Sequence, residues 1–425
     1  MKVLWLCNMV PGVVQERLSG DTAGGLWVDH VLSDLRKQED MTLRILCPSG
    51  KKSSGGVDTR TDFRTFTEGA PYHYLPELEA GFTEELSEFM PDVIHIWGTE
   101  YGHTLTMVRA AEKLGVSGRI AVSIQGLCSV YAGHYAEGIP ERVRNAFTLR
   151  DFLRRDNMAM QQKKFLLRGD LEMEALEGVH HVIGRTDWDR ACTMQMNPDA
   201  KYHFCNETLR EAFYDGSWNY ASCKKHRIFA SSCVYPIKGF HYLLEAMPII
   251  LRRYPDAVIS VTGGSFFADS FLGRQRQQTY FRYLQRFCKR NGLTDKIEFL
   301  GRLNAVDMKQ AFLDANVFVL PSTIENSPNS LGEAMLLGVP CVASDVGGVT
   351  NMLCPGEGFV YPSTAPYMLA HRIMEIFAME DRAGELGTAA RAHAKKTHDP
   401  EKNLQDLLAI YREIAEQGAD GNGTE

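Results

Sequence analysis

Short apolar runs recur through the second half of the chain: Ile228–Cys233, Val258–Thr262, Ile297–Leu300, Val317–Leu320 and Cys341–Ser344. Each is too short for a buried helix and is bounded by polar or Gly/Pro-containing stretches, which predicts strands buried on both faces. Between them lie segments with apolar positions at helical spacing: Phe240–Arg253, Tyr280–Asn291, Ala305–Asp314 and Ser330–Leu337. The first half repeats the pattern with more interruption. Its strand candidates are Val3–Cys7, Leu43–Cys47, Val93–Trp97, Ile120–Gln125 and His181–Gly184. Its helix candidates are Leu26–Lys37, His103–Leu114 and one long stretch from about Arg142 to Glu177.

Strand and helix alternating in this way predict parallel sheets covered by helices on both faces. The expected fold is α/β, with two Rossmann-like doubly wound domains facing a cleft, because 425 residues exceed one ordinary core. The expected division is 1–205 for the first domain, 206–225 for a linker without periodicity, and 226–395 for the second domain. A C-terminal helix, 396–417, would cross back to the first domain, and 418–425 would form a disordered tail. Such sheets bind ligands at the carboxyl ends of their strands.

Composition narrows the function classes. Hydrophobic residues make up 44% and charged residues 23%, as in an ordinary globular enzyme. A formal net charge of −7 argues against a general nucleic-acid binder. The ten cysteines are scattered, with no CxxC pair, which predicts no zinc site and a reducing, cytoplasmic setting. Met1–Cys7 is too short an apolar run for a signal core or a membrane span, so it reads as a first buried strand.

The segment Val317–Leu353 carries the chemistry. A strand ends in Pro321-Ser322, a polar loop Thr323-Ile324-Glu325-Asn326 follows, and Ser327 with Pro328 suits an N-cap and first helical position. The helix should run to about Leu337, stopped by Gly338. Its free amides near Asn329–Leu331 would suit a diphosphate. Glu325 and Glu333 do not form one acid–base couple; one carboxylate suits sugar hydroxyls and the other ribose hydroxyls. Acidic residues at this place also simply offset a helix dipole.

The run Glu325-Asn326-Ser327-Pro328-Asn329-Ser330-Leu331-Gly332-Glu333, continued by Ala-Met-Leu-Leu-Gly-Val-Pro-Cys-Val-Ala-Ser-Asp and Gly347-Gly348, resembles the signature of glycosyltransferase family 4. The likeness covers Ile228–Tyr361 well and the N-terminal half weakly. It implies a GT-B fold and retaining hexosyl transfer from a nucleotide diphosphate sugar, without a metal ion or other cofactor. UDP-sugars are favoured and GDP-sugars come second. The implied acceptor is a polysaccharide or a glycolipid. By the resemblance Glu333 binds the ribose, and Glu325 sits against the donor sugar ring. Ser327, Pro328, Asn329, Ser330 and Leu331 cradle sugar and phosphate. Lys238, in Lys238-Gly239 before Phe240–Arg253, neutralises the diphosphate.

There are two departures from the family pattern near these groups. Cys233 stands where relatives carry an arginine, for which Arg302 is the candidate substitute, and Asn351 stands where relatives often carry a glutamate. Other readings of the same scaffold are a nucleotide-sugar epimerase, a phosphorylase and a non-catalytic nucleotide-binding subunit.

In the first half, Gly24 and Gly25 follow the first strand in a glycine-rich turn; by the resemblance the pair lies against the donor phosphates, to which it is assigned, or the acceptor, and a simple tight turn is the alternative. Gln125, His134 and His103 are assigned to acceptor or sugar contact, Gln125 replacing the histidine usual in relatives. Arg185-Thr186-Asp187-Trp188-Asp189 contains an Asp-x-Asp, read as an N-cap by Asp187 rather than a metal site. From Glu141 to Asp170 eight basic residues face four acidic ones, with Phe147, Phe152, Leu153, Phe165 and Leu166 interspersed. That composition fits either a solvated helix face or, through 142–168, peripheral contact with an anionic membrane on its inner face.

Overall fold

The computed structural model describes residues 1–20, 27–268 and 270–420. The chain divides into two compact units, one of Met1–Val130, Lys164–Arg210 and the C-terminal residues from Thr397, the other of Tyr131–Lys163 and Glu211–Lys396. Tyr131–Lys163 therefore groups with the second unit, although its flanks on both sides belong to the first.

The first unit is built on eight strands: β1 (Lys2–Cys7), β2 (Thr42–Pro48), β3 (Ser54–Gly56), β4 (Thr61–Phe66), β5 (Val93–Trp97), β6 (Ile120–Ser123), β7 (His181–Gly184) and β8 (Lys201–Phe204). Their spatial order is β3-β4-β2-β1-β5-β6-β7-β8, parallel throughout except that β3 runs antiparallel to β4. Side chains alternate across a strand, and both faces of β1 are buried. Val3, Trp5 and Cys7 pack with Leu32, Leu407 and Tyr411. Leu4 and Leu6 pack with Phe82, Leu86 and Val108 on the other face. That double burial is why Val3–Cys7 is a continuous apolar run rather than an alternating one.

The C-terminal helix Pro400–Asp420 covers one of these faces, and Trp5 Nε1 donates to Tyr411 Oη at 2.9 Å. This helix extends through 418–420, which were expected in the tail; 421–425 lie outside the described residues. Nor is Arg142–Glu177 one helix. It is three, Glu141–Arg144, Leu149–Arg154 and Met158–Glu177. Arg155 at φ +48° closes the second, and Asn157 Oδ1 accepts the Met160 amide at 2.9 Å to start the third.

The second unit has six strands, all parallel: β9 (Arg227–Ala230), β10 (Val258–Val261), β11 (Ile297–Phe299), β12 (Val317–Leu320), β13 (Cys341–Asp345) and β14 (Phe359–Pro362). The order is β11-β10-β9-β12-β13-β14, with β9 and β12 at the centre. The sequence order reverses between β9 and β12, the place where a doubly wound sheet opens a binding crevice. Among the described residues no helix is long and apolar enough to cross a membrane.

Candidate active site

The chain leaves β12 into a loop that is buried along nearly its whole length: Ser322, Thr323, Glu325 and Asn326 are each at most 6% exposed. Buried backbone groups need partners, and three other segments supply them. The Thr323 amide donates to Ile237 O at 2.9 Å, ahead of Lys238. Ser344 Oγ, at the end of β13, donates to Ser322 O at 2.6 Å. The Gly348 amide donates to Glu325 O at 3.1 Å. Thr323 Oγ1 donates to the carbonyl of His134 at 2.9 Å.

Two glycines permit this convergence. Gly239 has φ +61° and Gly347 φ +52°, a region costly for residues with a Cβ. A Cβ on Gly239 would overlap Pro321 O, and one on Gly347 would overlap Glu325 O, both well under the 3.0 Å that real Cβ atoms keep. Lys-Gly before the helix and Gly-Gly after β13 are therefore contact points of the loop and not merely turns.

At the centre, Lys238 Nζ lies 2.6 Å from Glu325 Oε1, and Ser322 Oγ donates to the same oxygen at 2.7 Å. Lys238 comes from a single 3₁₀ turn, Pro236–Lys238, and the helix proper begins at Phe240. Its side chain is 36% exposed and that of Glu325 only 8%, so the pair joins a buried carboxylate to a half-buried cation. Glu333 is also buried, one helical turn inside Asn329–Leu337.

The cap assignment requires correction. Pro328, not Ser327, occupies the N-cap position, the helix starts at Asn329, and no side chain caps it. Ser327 Oγ instead lies 3.5 Å from Met352 Sδ. The shift follows from Pro328, which is held extended at ψ 114° and cannot also open the helix. The carbonyl of Pro328 takes the amides of Leu331 and Gly332. The earlier first-turn amides of Asn329 and Ser330 have no backbone acceptor among the described residues. Gly338, at φ +72°, ends the helix as the sequence indicated.

Cys233 is fully buried after β9, its thiol pushed up to about 12 by that burial. Arg302 is exposed at the carboxyl end of β11, two strands from β9 in the sheet, where Gly301 O accepts the Gly263 amide at 2.8 Å.

The other sequence candidates lie apart. In the first unit Gln125 lies two residues beyond β6, and its amide donates to Glu207 Oε1 at 2.6 Å, while Arg185 ion-pairs with Glu207 and donates to Ile124 O at 2.9 Å. His103 is buried at the start of Gly102–Lys113, stacked on Tyr101 and 3.3 Å from Glu68 Oε1. In the second unit His134 pairs its ring with Glu137 at 2.8 Å and meets the β12 loop only through its carbonyl. Gly24 and Gly25 lie outside the described residues. Asp187 is not the N-cap: Thr186 is, in a capping box with Asp189, which also accepts from Tyr202 Oη at 2.5 Å.

Sequence reasoning missed Glu100, which follows β5 and whose carboxyl is raised to about 7 by burial, with the charge of Glu172 adding. It carried no motif signal. Two trios bring metal-type ligand atoms within 4.8 Å, His181/His203/Glu413 and Cys354/Glu357/His393. Both carboxylates have protein partners: Lys201 at 2.6 Å from Glu413, and the Cys354 amide at 2.9 Å from Glu357.

Two units of doubly wound parallel sheet, one with a carboxylate–lysine pair at the carboxyl end of a central strand, define a chain of the GT-B class. Residues 221–393, about two fifths of the chain, match the family model described as glycosyl transferases group 1. The chain is 24% identical to spore coat protein SA of Bacillus subtilis over 41% of its own length and 45% of that protein's. It is 27% identical to a GDP-mannose-dependent phosphatidylinositol monomannoside mannosyltransferase of Corynebacterium glutamicum, over 40% and 42%. It thus spans less than half the length of these curated relatives. The fold likeness is broader. Sucrose-phosphate synthase from Thermosynechococcus elongatus superposes with a TM-score of 0.70 at 17% identity, over 97% of this chain and 99% of that one. Anabaena HepE, solved in complex with UDP, gives 0.65 at 17%, over 97% and 100%.

Proposed function

We propose that the chain is a retaining hexosyltransferase that takes its sugar from a nucleotide diphosphate donor, UDP-linked in preference to GDP-linked, and delivers it to a polysaccharide or glycolipid. The observation that carries this reading is the Lys238–Glu325 pair, held at 2.6 Å on a loop fixed by Gly239 and Gly347. In this reading Lys238 leaves Glu325 for the donor diphosphate and stabilises the charge that develops as the glycosidic bond breaks. Glu325 then faces the sugar ring, Glu333 the ribose, and the amides of Asn329 and Ser330 the phosphate. Front-face attack needs no enzyme nucleophile, because the departing phosphate can accept the acceptor's proton. Positioning and charge stabilisation supply the catalysis. Arg302 is assigned to the diphosphate in place of the arginine that Cys233 displaces, and Gln125, His103 and His134 to acceptor or sugar contact. The C. glutamicum relative, named for a lipid acceptor, supports the glycolipid side of the reading.

The test is thermal unfolding of wild type and Glu333→Ala with UDP, GDP, ADP, CMP and NAD, followed by nucleoside diphosphate release from the corresponding sugars. A ligand of the folded state alone adds about 2.7 kcal/mol at roughly a hundred times its dissociation constant. One nucleoside diphosphate should stabilise wild type and not the variant. An equal response, or stabilisation by NAD alone, refutes the assignment.

A further inference from the structure

We propose that one face of the second unit, formed by Glu141–Arg154 and the helix Thr279–Asn291, is a docking surface for an anionic phospholipid bilayer. The inference supplies a setting for the glycolipid acceptor proposed above and rests on that reading only for its purpose.

The two segments make a single surface. The carboxylate of Asp151 is fully buried and accepts the Thr279 amide at 2.9 Å and the Thr279 hydroxyl, while Thr148 Oγ1 donates to Gln277 O at 2.8 Å. Between them runs a groove of about 380 Å³ lined by Arg142, Arg282, Arg286 and Arg290 together with Val143 and Phe287. Among the described residues none of these four arginines has an ion-pair partner. The nearby carboxylate of Glu245 acts on the Tyr283 phenol instead. Arg286 has its basicity lowered by burial and by its neighbours Arg282 and Arg290, as expected of cations crowded without counter-charge. The sequence is as one-sided: 271–291 holds Arg274, Arg276, Arg282, Arg286, Lys289 and Arg290 and no acidic residue, in a chain of net charge −7. Segregating cations this way on an acidic protein marks an anionic partner.

The apolar residues that follow identify that partner. Phe147 lines the groove and is 47% exposed, and Leu149, Phe152 and Leu153, on the helix Leu149–Arg154 next in the chain, are 53%, 68% and 72% exposed. A soluble polyanion would occupy the arginines and leave these side chains in water. A bilayer surface satisfies both, with guanidinium groups on headgroup phosphates and apolar side chains at the acyl boundary. The structure thus moves the membrane-facing residues from the whole of 142–168 to its first half plus a helix far away in sequence.

The full chain is tested by co-sedimentation with vesicles of equal parts phosphatidylglycerol and phosphatidylcholine, and with phosphatidylcholine alone. Binding should require phosphatidylglycerol and weaken with salt. Each arginine near an anionic surface raises partitioning roughly fivefold, so R282Q/R286Q/R290Q should bind about a hundredfold more weakly. F152S/L153S, which keeps every charge, should also lose at least about tenfold. Both variants should keep the wild-type unfolding midpoint and its nucleotide-induced shift, which separates this surface from the donor site. Equal sedimentation of all three proteins overturns the proposal. So does loss on arginine removal alone with wild-type binding by F152S/L153S and tight capture of dextran sulfate, which would make the groove a site for soluble polyanions.

Discussion

Replacing Gly347 with alanine tests whether the β12 loop is held in place from behind. Two costs are expected. Alanine at φ +52° loses about 1–2 kcal/mol on conformation alone. Its Cβ would also overlap the carbonyl of Glu325, breaking the 3.1 Å bond from the Gly348 amide, worth about 1 kcal/mol, and pushing the loop away. Gly292 is the control: it has φ +64° in the same unit and nothing within 4 Å of its Cβ position, so only the first cost applies. In a unit of this size, at about 3 °C per kcal/mol, the sums correspond to a fall in unfolding midpoint of roughly 7–8 °C for Gly347→Ala and roughly 4–5 °C for Gly292→Ala. The larger contrast is in turnover. A displacement on the order of 1 Å at a positioning loop costs about a hundredfold in rate, so Gly347→Ala should lose sugar transfer and Gly292→Ala should keep it. If the two variants match in midpoint and in turnover, the loop is not pinned through Gly347 and the geometric account of the site fails.

Three further outcomes follow from the same contacts. Lys238→Met leaves the Glu325 carboxylate with Ser322 as its remaining side-chain partner among the described residues and should cost about 1–2 kcal/mol after allowance for the lysine's exposure; adding Glu325→Gln should restore most of the stability but no transfer, in denaturant titrations paired with rate measurements. Cys233→Arg, which returns the side chain usual in relatives, should lower the midpoint rather than raise activity, because the thiol is fully enclosed and a guanidinium there would be buried without a partner. Burial depresses His95 to about 3 and His241 to about 4 from an ordinary 6.5. The unfolded chain therefore binds protons that the folded one refuses, and stability falls as pH drops below 6.5, by about 1.4 kcal/mol per pH unit for each histidine down to its folded value. Urea midpoints between pH 7 and 5 read this directly, and a flat profile would mean the rings are not held neutral.

The second unit was legible because its central strands are buried on both faces and two of its helices, Thr279–Asn291 and Asn329–Leu337, end at a glycine. Val317–Leu320 coincides with an observed strand, Ile228–Cys233 and Cys341–Ser344 each overlap one, and Gly338 marks an observed helix end. The loop chemistry was legible for a related reason: a buried polar loop must satisfy its own backbone, which leaves few residue choices at Ser322, Glu325, Gly239 and Gly347. The first unit was harder. β3 and β4 lie at a sheet edge, where Thr61–Phe66 alternates Thr, Asp, Phe and Arg and shows no apolar run. The break at Arg155 was invisible because an arginine in the left-handed region has no sequence signature, unlike a glycine there.

The same asymmetry explains why the arginine groove escaped a linear reading. Its cations come from Arg142 and from Arg282, Arg286 and Arg290, separated by well over a hundred residues, and neither segment alone exceeds what a solvated helix face carries. What joins them is Asp151, whose buried carboxylate accepts from Thr279 and pairs with its neighbour Arg150. A local charge count credits that aspartate against all the arginines, whereas in the fold it offsets Arg150, which does not line the groove, and fastens the helices together. The four groove arginines are left without it. Asp151→Asn should reveal this. It keeps the shape, weakens the bonds to Thr279, and on a charge count alone would strengthen attraction to an anionic bilayer. On the structural account it loosens the junction and lowers the unfolding midpoint, by roughly 1–3 kcal/mol for a buried charged hydrogen bond, while vesicle binding stays the same or falls. Tighter binding with an unchanged midpoint would show that Asp151 had been screening the groove after all.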